Sequence, residues 1–200
     1  MVVWIRSIQK RTALNLPVIL SNCNALMEIL RIGHFDVNLM FVGKGYIKSL
    51  NLRYRRRNVV TDILAFPYFE NLVPGVLPPV PRLEYDYTLG DIVLGTPQIV
   101  KDCEADGKHL DDYLPVIITH GLCHLLGYTH DTQNNLNKMR KKEIEVLIEF
   151  NRITGYNAVP ITPEKVEHFI MPLDEETKRF SGNAEYAQDG EKGVDDLKGE

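Results

Sequence analysis

The segment at residues 119–131, THGLCHLLGYTHD, limits what this chain can be more than any other stretch, because it holds three of the six histidines. His120 and His124 are four residues apart, and on an α-helix that spacing places two side chains about 40° apart on one face. Gly127 follows, and glycine is the usual residue just beyond a helix end because it adopts positive φ without strain. The pattern therefore predicts a helix that ends near Gly127 and a loop that returns His130 toward the other two histidines.

Three imidazoles gathered in this way predict a metal site. Three protein ligands leave coordination positions open on a divalent cation, which is the arrangement of catalytic rather than structural zinc sites. Imidazole ligands suit zinc, nickel, copper or iron, so the spacing does not select the metal, and zinc is the single ion we expect. The alternative is a helix whose histidines only pack. Cys123 lies in the same helix, and we interpret it as a small buried thiol rather than a ligand.

A zinc peptidase is a second interpretation of the same spacing. The metzincin pattern H-E-x-x-H-x-x-G-x-x-H has histidines and a glycine at matching positions. This chain has Gly121 where the pattern has the glutamate that serves as general base. Glycine cannot exchange a proton with a substrate, so the sequence argues against a peptidase.

The composition is that of a soluble globular protein with an acidic end. The chain has 200 residues, of which 44% are hydrophobic and 25% charged, and this length favours one domain, which we place at residues 1–170. Residues 171–200 hold nine acidic and four basic residues, so we expect a disordered acidic tail. The three cysteines lie far apart and predict reduced thiols in an intracellular protein. No apolar run reaches the roughly 18 residues that a bilayer requires, so we expect no membrane partner.

Hydrophobic periodicity predicts an α+β fold, with a small mixed sheet of about four strands packed against about five helices. The metal site is expected on a late helix and the loop that follows it. Four prolines within residues 71–87 predict a surface loop. Basic residues before the first acid would also suit a mitochondrial presequence, but the apolar start of the chain favours a strand. The predicted strands are residues 2–8, 36–42, 61–68 and 89–95, and the predicted helices are residues 17–32, 45–57, 97–105, 111–126 and 134–152.

The densest basic run comprises Arg53, Arg55, Arg56 and Arg57. Arginine matches phosphate oxygens in a two-pronged geometry, so such a run suits RNA. A solvated helix end is the alternative, since cations there also stabilise the helix dipole. Charge alone does not select one arginine among the four.

Three segments of the sequence resemble the YbeY family of metal-dependent endoribonucleases of ribosomal RNA maturation. HGLCHLLGYTHD resembles that family's H-G-x-x-H-x-x-G-Y-x-H motif. LNLRYRRRNVVTDILAFP at residues 50–67 is similar to its L-N-x-x-Y-R…T-D-V-L-S-F-P segment, and LGDIVL at residues 89–94 is similar to its L-G-D-I strand. The resemblance covers roughly residues 35–150.

The resemblance implies that His120, His124 and His130 are the metal ligands and that Arg55 takes part in catalysis. It implies cleavage of single-stranded RNA in small-subunit ribosomal RNA processing and ribosome biogenesis, with small-subunit ribosomal proteins as partners and no DNA partner. The alternative function is a metal-stabilised assembly factor that binds RNA without cutting it. Thr129 stands where bacterial members usually have aspartate. The motif with threonine at this position is most similar to that of animal members of the family, which implies a mitochondrial protein. A cytosolic or nuclear location is the alternative.

Overall fold

The computed structural model describes residues 2–80 and 87–164. Within these residues the chain forms an α+β fold, as expected from the sequence. Strands alternate with helices up to β3, β4 follows β3 directly, and three helices then follow one another. The elements in chain order are β1 (Val3–Ser7), α1 (Leu16–Ile29), β2 (Asp36–Val42), α2 (Lys44–Arg55), β3 (Ile63–Pro67), β4 (Thr88–Gly95), α3 (Thr96–Asp106), α4 (Leu110–Leu125) and α5 (Gln133–Thr154).

The four described strands form one mixed sheet in the order β1-β2-β4-β3. β1, β2 and β4 are parallel, whereas β3 runs antiparallel to β4. β1 and β3 are therefore the edge strands. The strand interpretation of the first residues is confirmed, because Val3 to Ser7 pair with Val37 to Phe41 of β2.

The main hydrophobic core lies between one face of the sheet and helices α1, α4 and α5. Val37, Leu39 and Phe41 alternate along β2 and are all buried on this face. Such a period of two is what a strand with one buried face requires. α2 packs on the opposite face, where Val42, Ile47, Leu64 and Val93 form a smaller buried cluster.

The helix ends differ from the predicted ones by a few residues, for local backbone reasons. α2 stops at Arg55 because Arg56 takes a left-handed conformation with φ 57°, and its N–H bonds the carbonyls of Asn51 and Leu52. α1 ends at Ile29, before Arg31 with φ 60°. Arginine is not a residue type that usually marks a helix end, so the sequence does not predict these two ends.

The proline-rich segment is described up to residue 80 and carries neither helix nor strand there. The predicted end of the domain at residue 170 and the predicted acidic tail at residues 171–200 lie outside the described residues. None of the helices in residues 2–80 and 87–164 has the length and apolar character needed to cross a bilayer.

Candidate metal centre

Gly121 lets α4 approach the sheet closely. A Cβ built at this position would lie 2.8 Å from Cδ1 of Ile63 and 2.9 Å from Cδ1 of Ile92. Real side chains do not approach so closely, so β3 and β4 occupy the space that a side chain would need. A side chain at this position, such as the glutamate of a zinc peptidase, would require Ile63 and Ile92 to move, so close packing gives a reason for the glycine that argued against a peptidase.

Gly127 turns the chain back after α4. Its φ is 83°, and its N–H donates to the carbonyl of His124 at 3.0 Å. A Cβ here would lie 2.3 Å from the backbone oxygen of Leu72. Both the positive φ and this close backbone contact require glycine. The turn therefore holds the following loop against the segment after β3.

The structure brings the three predicted histidines together. One nitrogen of each ring lies within 4.8 Å of the others, so the group could hold a metal ion. The Nε2 atoms of His120 and His124 are 3.1 Å apart. The ring centroid of His130 lies 5.5 Å from that of His120 and 5.1 Å from that of His124.

The outer nitrogens of the two helical histidines are bonded to oxygen acceptors. Nδ1 of His120 lies 2.8 Å from Oε1 of Glu143, and Nδ1 of His124 lies 2.9 Å from the carbonyl oxygen of Tyr128. A carbonyl oxygen can only accept, so the proton of neutral His124 is on Nδ1, and the carboxylate places the proton of His120 in the same way. The two Nε2 lone pairs then face each other, an arrangement that a shared cation stabilises.

Sequence reasoning missed Glu143 and Thr162, which complete this support. Glu143 is only 1% exposed, and it accepts the hydroxyl of Thr162 at 2.7 Å on Oε1 and the backbone N–H of Thr162 at 3.3 Å on Oε2. A signal for Glu143 existed, because it occupies a core position of α5 between the buried Met139 and Val146. An acid in such an apolar stripe needs a buried partner. Thr162 carries no comparable sequence signal.

Burial favours the neutral form of two of the ligand side chains, His124 and His130. Loss of solvent, followed by the nearby His120 and His130, lowers the pKa of His124 to about 3. Partial loss of solvent and then His120 also lower the pKa of His130. Neutral imidazole is the form that binds metal, so these rings are ready for a cation at physiological pH.

Arg55 is the arginine of the basic run whose charge reaches the histidines. It ends α2, and its positive charge lowers the pKa of both His124 and His130. The residue is exposed, but partial desolvation of its guanidinium and the like charge of Arg57 lower its own pKa, while Asp62 raises it. The positive charge of Arg55 therefore acts on His124 and His130.

The remaining polar residues of the segment have structural contacts. Cys123 is fully buried, and burial raises the pKa of its thiol, in keeping with a packing role. Oδ1 of Asp131 accepts the hydroxyl of Thr129 at 2.7 Å and the side-chain amide of Asn135 at 2.8 Å. These bonds lower the pKa of Asp131 to about 2. Asp131 therefore ties the loop to the first turn of α5, as a cap does.

Comparisons with known proteins connect this geometry to one family. The human protein named endoribonuclease YbeY is 39% identical over 158 residues, covering 79% of this chain and 93% of its own length. A bacterial protein of the same name from Syntrophus aciditrophicus is 32% identical over 158 residues, covering 78% of this chain and 92% of its own length. A solution structure from Thermotoga maritima covers 81% of this chain at 22% identity with a TM-score of 0.46.

The family pattern described as endoribonuclease YbeY matches residues 8–151, from the end of β1 to the last turns of α5. That range contains the three clustered histidines, the supporting glutamate and the arginine at the end of α2. The chain therefore belongs to the YbeY endoribonuclease family.

Proposed function

We propose that this protein is a metal-dependent endoribonuclease that cleaves single-stranded RNA. The observation that carries the proposal is the pair of Nε2 atoms of His120 and His124, 3.1 Å apart, with both opposite nitrogens bonded to oxygen. His130 is the third histidine of the group, and the positive charge of Arg55 acts on it. Family membership supports the reaction type, because the matched relatives are named endoribonucleases.

The donor set fits a divalent cation of intermediate softness. His120, His124 and His130 would hold it through neutral nitrogens, and we propose zinc as the ion. When bound, such an ion polarises oxygen ligands and lowers the pKa of a coordinated water molecule. Glu143 orients His120 through the 2.8 Å hydrogen bond to Nδ1. A carboxylate in this position also makes the imidazole a stronger ligand.

Arg55 is proposed to act on the substrate. Its guanidinium carries a positive charge that acts on His124, and it can donate two hydrogen bonds to a phosphate. Negative charge on the phosphoryl oxygens grows in the transition state, and a cation held in place stabilises that state more than the ground state. The exposed Arg53, Arg56 and Arg57 are proposed to contact phosphates of neighbouring nucleotides.

We further propose a precursor end of small-subunit ribosomal RNA as the substrate, ribosomal proteins of that subunit as partners and the mitochondrion as the location. Support comes from the resemblance of the histidine motif to animal members of the family, through Thr129. The identity to the human relative, 39% over most of both chains, supports the same assignment.

The proposal is tested by replacing His124 with Ala and measuring zinc content and cleavage of a single-stranded RNA. We expect one zinc ion per wild-type chain, and loss of both zinc and cleavage in His124→Ala. Chelation should abolish wild-type cleavage, and added zinc should restore it. His109→Ala is the matched control, because His109 is exposed and makes no side-chain capping bond at the start of α4.

Two outcomes would contradict the proposal. Cleavage that persists in purified His124→Ala would show that the nuclease is a contaminant or uses other residues. A wild-type protein that binds RNA, loses thermal stability on chelation and never cleaves would instead be a metal-stabilised assembly factor.

Arg55 is tested separately from the metal. Arg55→Ala should lower kcat about 100-fold, the size of effect seen when a donor to the transition-state charge is removed, and should leave the zinc content unchanged. Arg53→Ala, in the same helix turn, should change kcat far less. Equal effects of the two substitutions would mean that the basic run acts only through its total charge.

A further inference from the structure

The sheet has an uncovered area on the face opposite the main core. α2 covers this face where Leu64 and Val93 are buried. Next to that area, Trp4 of β1 lies beside Asn38 of β2 in register, and both line a groove of about 630 Å³ between α2 and the sheet.

Aromatic side chains dominate the walls of this groove. Trp4 is 62% exposed, Tyr54 60% and Tyr46 44%. Tyr46 and Tyr54 are eight residues apart on α2, which is two steps of four residues. They therefore face the groove from the same side of the helix. The Tyr54 ring packs against the edge of Phe66 with centroids 5.0 Å apart. We call this feature the sheet groove, and its aromatic residues are Trp4, Tyr46, Tyr54 and Phe66.

The floor of the sheet groove carries polar side chains among aliphatic ones such as Met40 and Val93. Arg6 contributes a cation, and Asn38 Nδ2 donates to Asp91 Oδ1 at 2.6 Å. Amides and carboxylates can hydrogen-bond to base edges, and arginine can bind phosphate or stack on a base. The centre of a protein–protein interface is normally depleted of charge, whereas here an arginine and an aspartate line the same groove as the rings. Rings alternating with such groups are typical of single-stranded RNA binding.

The sheet groove and the histidine helix contact the same end of β4. Tyr54 packs on Phe66, which pairs in register with Asp91 of β4. On the other face of the same strand, a Cβ at Gly90 would lie 2.9 Å from Leu125 in the last turn of α4. The groove and the end of the histidine helix therefore meet the same end of β4 from opposite faces.

We propose that the sheet groove binds the part of a single-stranded RNA that lies next to the cleaved bond, by stacking bases on Trp4 and Tyr54. The strand then passes the end of α2, where Arg55 follows Tyr54, and reaches the three histidines. This inference rests on the proposed endoribonuclease function, but its test does not depend on cleavage.

Trp4 is the only tryptophan of the chain, so its fluorescence reports directly on the sheet groove. The experiment titrates a 12-nucleotide single-stranded oligoadenylate RNA into full-length His124→Ala, which we expect not to cut it. Fluorescence anisotropy of the labelled RNA measures binding at the same time. We expect binding to quench Trp4 emission, and an RNA duplex of equal length to leave the emission unchanged.

Substitutions separate stacking from simple hydrophobic contact. Trp4→Leu keeps apolar bulk without a ring and should weaken binding about tenfold, within the range for loss of one stacked base. Trp4→Phe should restore most of the affinity. Ile148→Ala is the control, since Ile148 is 64% exposed on α5 and is not part of the sheet groove. Circular dichroism confirms that each variant is folded.

The inference is overturned if Trp4 emission is not quenched at saturating RNA, or if Trp4→Leu binds RNA with wild-type affinity. The groove would then be interpreted as a surface for a protein partner. Zinc-dependent cleavage without quenching would refute only the sheet groove. Quenching without any cleavage by the wild-type protein would refute the proposed enzyme while keeping the RNA surface.

Discussion

The histidine segment has a helical half and a loop half, and the two position their side chains by different means. His120 is 8% exposed, and both helical histidines have Nδ1 bonded to an acceptor within 2.9 Å. His130 is exposed on a loop whose path depends on the turn at Gly127. Packing of α4 on the sheet therefore orients two donors, whereas backbone conformation positions the third.

Gly121→Glu tests the helical half and should have the largest effect. The new side chain has to enter the space occupied by Ile63 and Ile92, and its charge would be buried without a partner. We expect a loss of about 4 kcal/mol or more in the free energy of unfolding, measured by urea denaturation. Gly45→Glu in α2, where a Cβ meets open space, should be nearly neutral. Similar losses in both variants would mean that α4 does not pack closely on the sheet.

Gly127→Ala tests the loop half. The new methyl group adds left-handed backbone strain and also clashes with the Leu72 oxygen. We therefore expect a loss of about 3 kcal/mol in the free energy of unfolding, measured by urea denaturation. Gly107→Ala has a similar φ of 63° but no neighbour within 4 Å, and should lose only about 1 kcal/mol. Equal losses would remove the contact with Leu72 as a cause.

Glu143→Gln weakens the support of the helical half while keeping its shape. The amide is a poorer acceptor for Nδ1–H of His120, so zinc affinity should fall about 10- to 100-fold, measured by competition with a chromophoric chelator. Glu145→Gln is the control two residues along α5, where the carboxylate pairs with Lys142 at the surface. An unchanged affinity in Glu143→Gln would show that this carboxylate only fills space.

Thr129→Ala should have the smallest effect. It removes the exposed hydrogen bond to Asp131, and water can replace that bond, so we expect a smaller loss in the free energy of unfolding than for Gly121→Glu or Gly127→Ala. Thr129→Ser retains the hydroxyl and should match the wild type. A loss as large as that of Gly127→Ala would mean that the loop depends on this bond more than on its backbone turn.

The features that sequence could predict are those with a local cause. Alternation in β2 and the four-residue spacing in α4 depend only on near neighbours, and so does the turn at Gly127. The elements were therefore expected in the right order. The ends of α1 and α2 were not, because Arg31 and Arg56 adopt left-handed conformations without being glycine.

Features that depend on distant parts of the chain escaped sequence reasoning. Glu143 meets His120 across 23 residues and Thr162 across 19, and no local pattern announces such pairs. Only the family resemblance distinguishes Arg55 from its neighbours in sequence, whereas its effect on the pKa of His124 and His130 depends on the fold. Trp4 was expected in a strand, but its exposure depends on how far α2 extends over the sheet.

The contact between Gly127 and Leu72 links two loops that are far apart in sequence. An insertion or deletion near residue 72 would push on the backbone at residue 127, and would move His130 without altering any residue of the motif. The two loops are therefore expected to accept length changes only in concert. A homologue grafted with a foreign segment after β3 should lose its third imidazole from the cluster before it loses its fold.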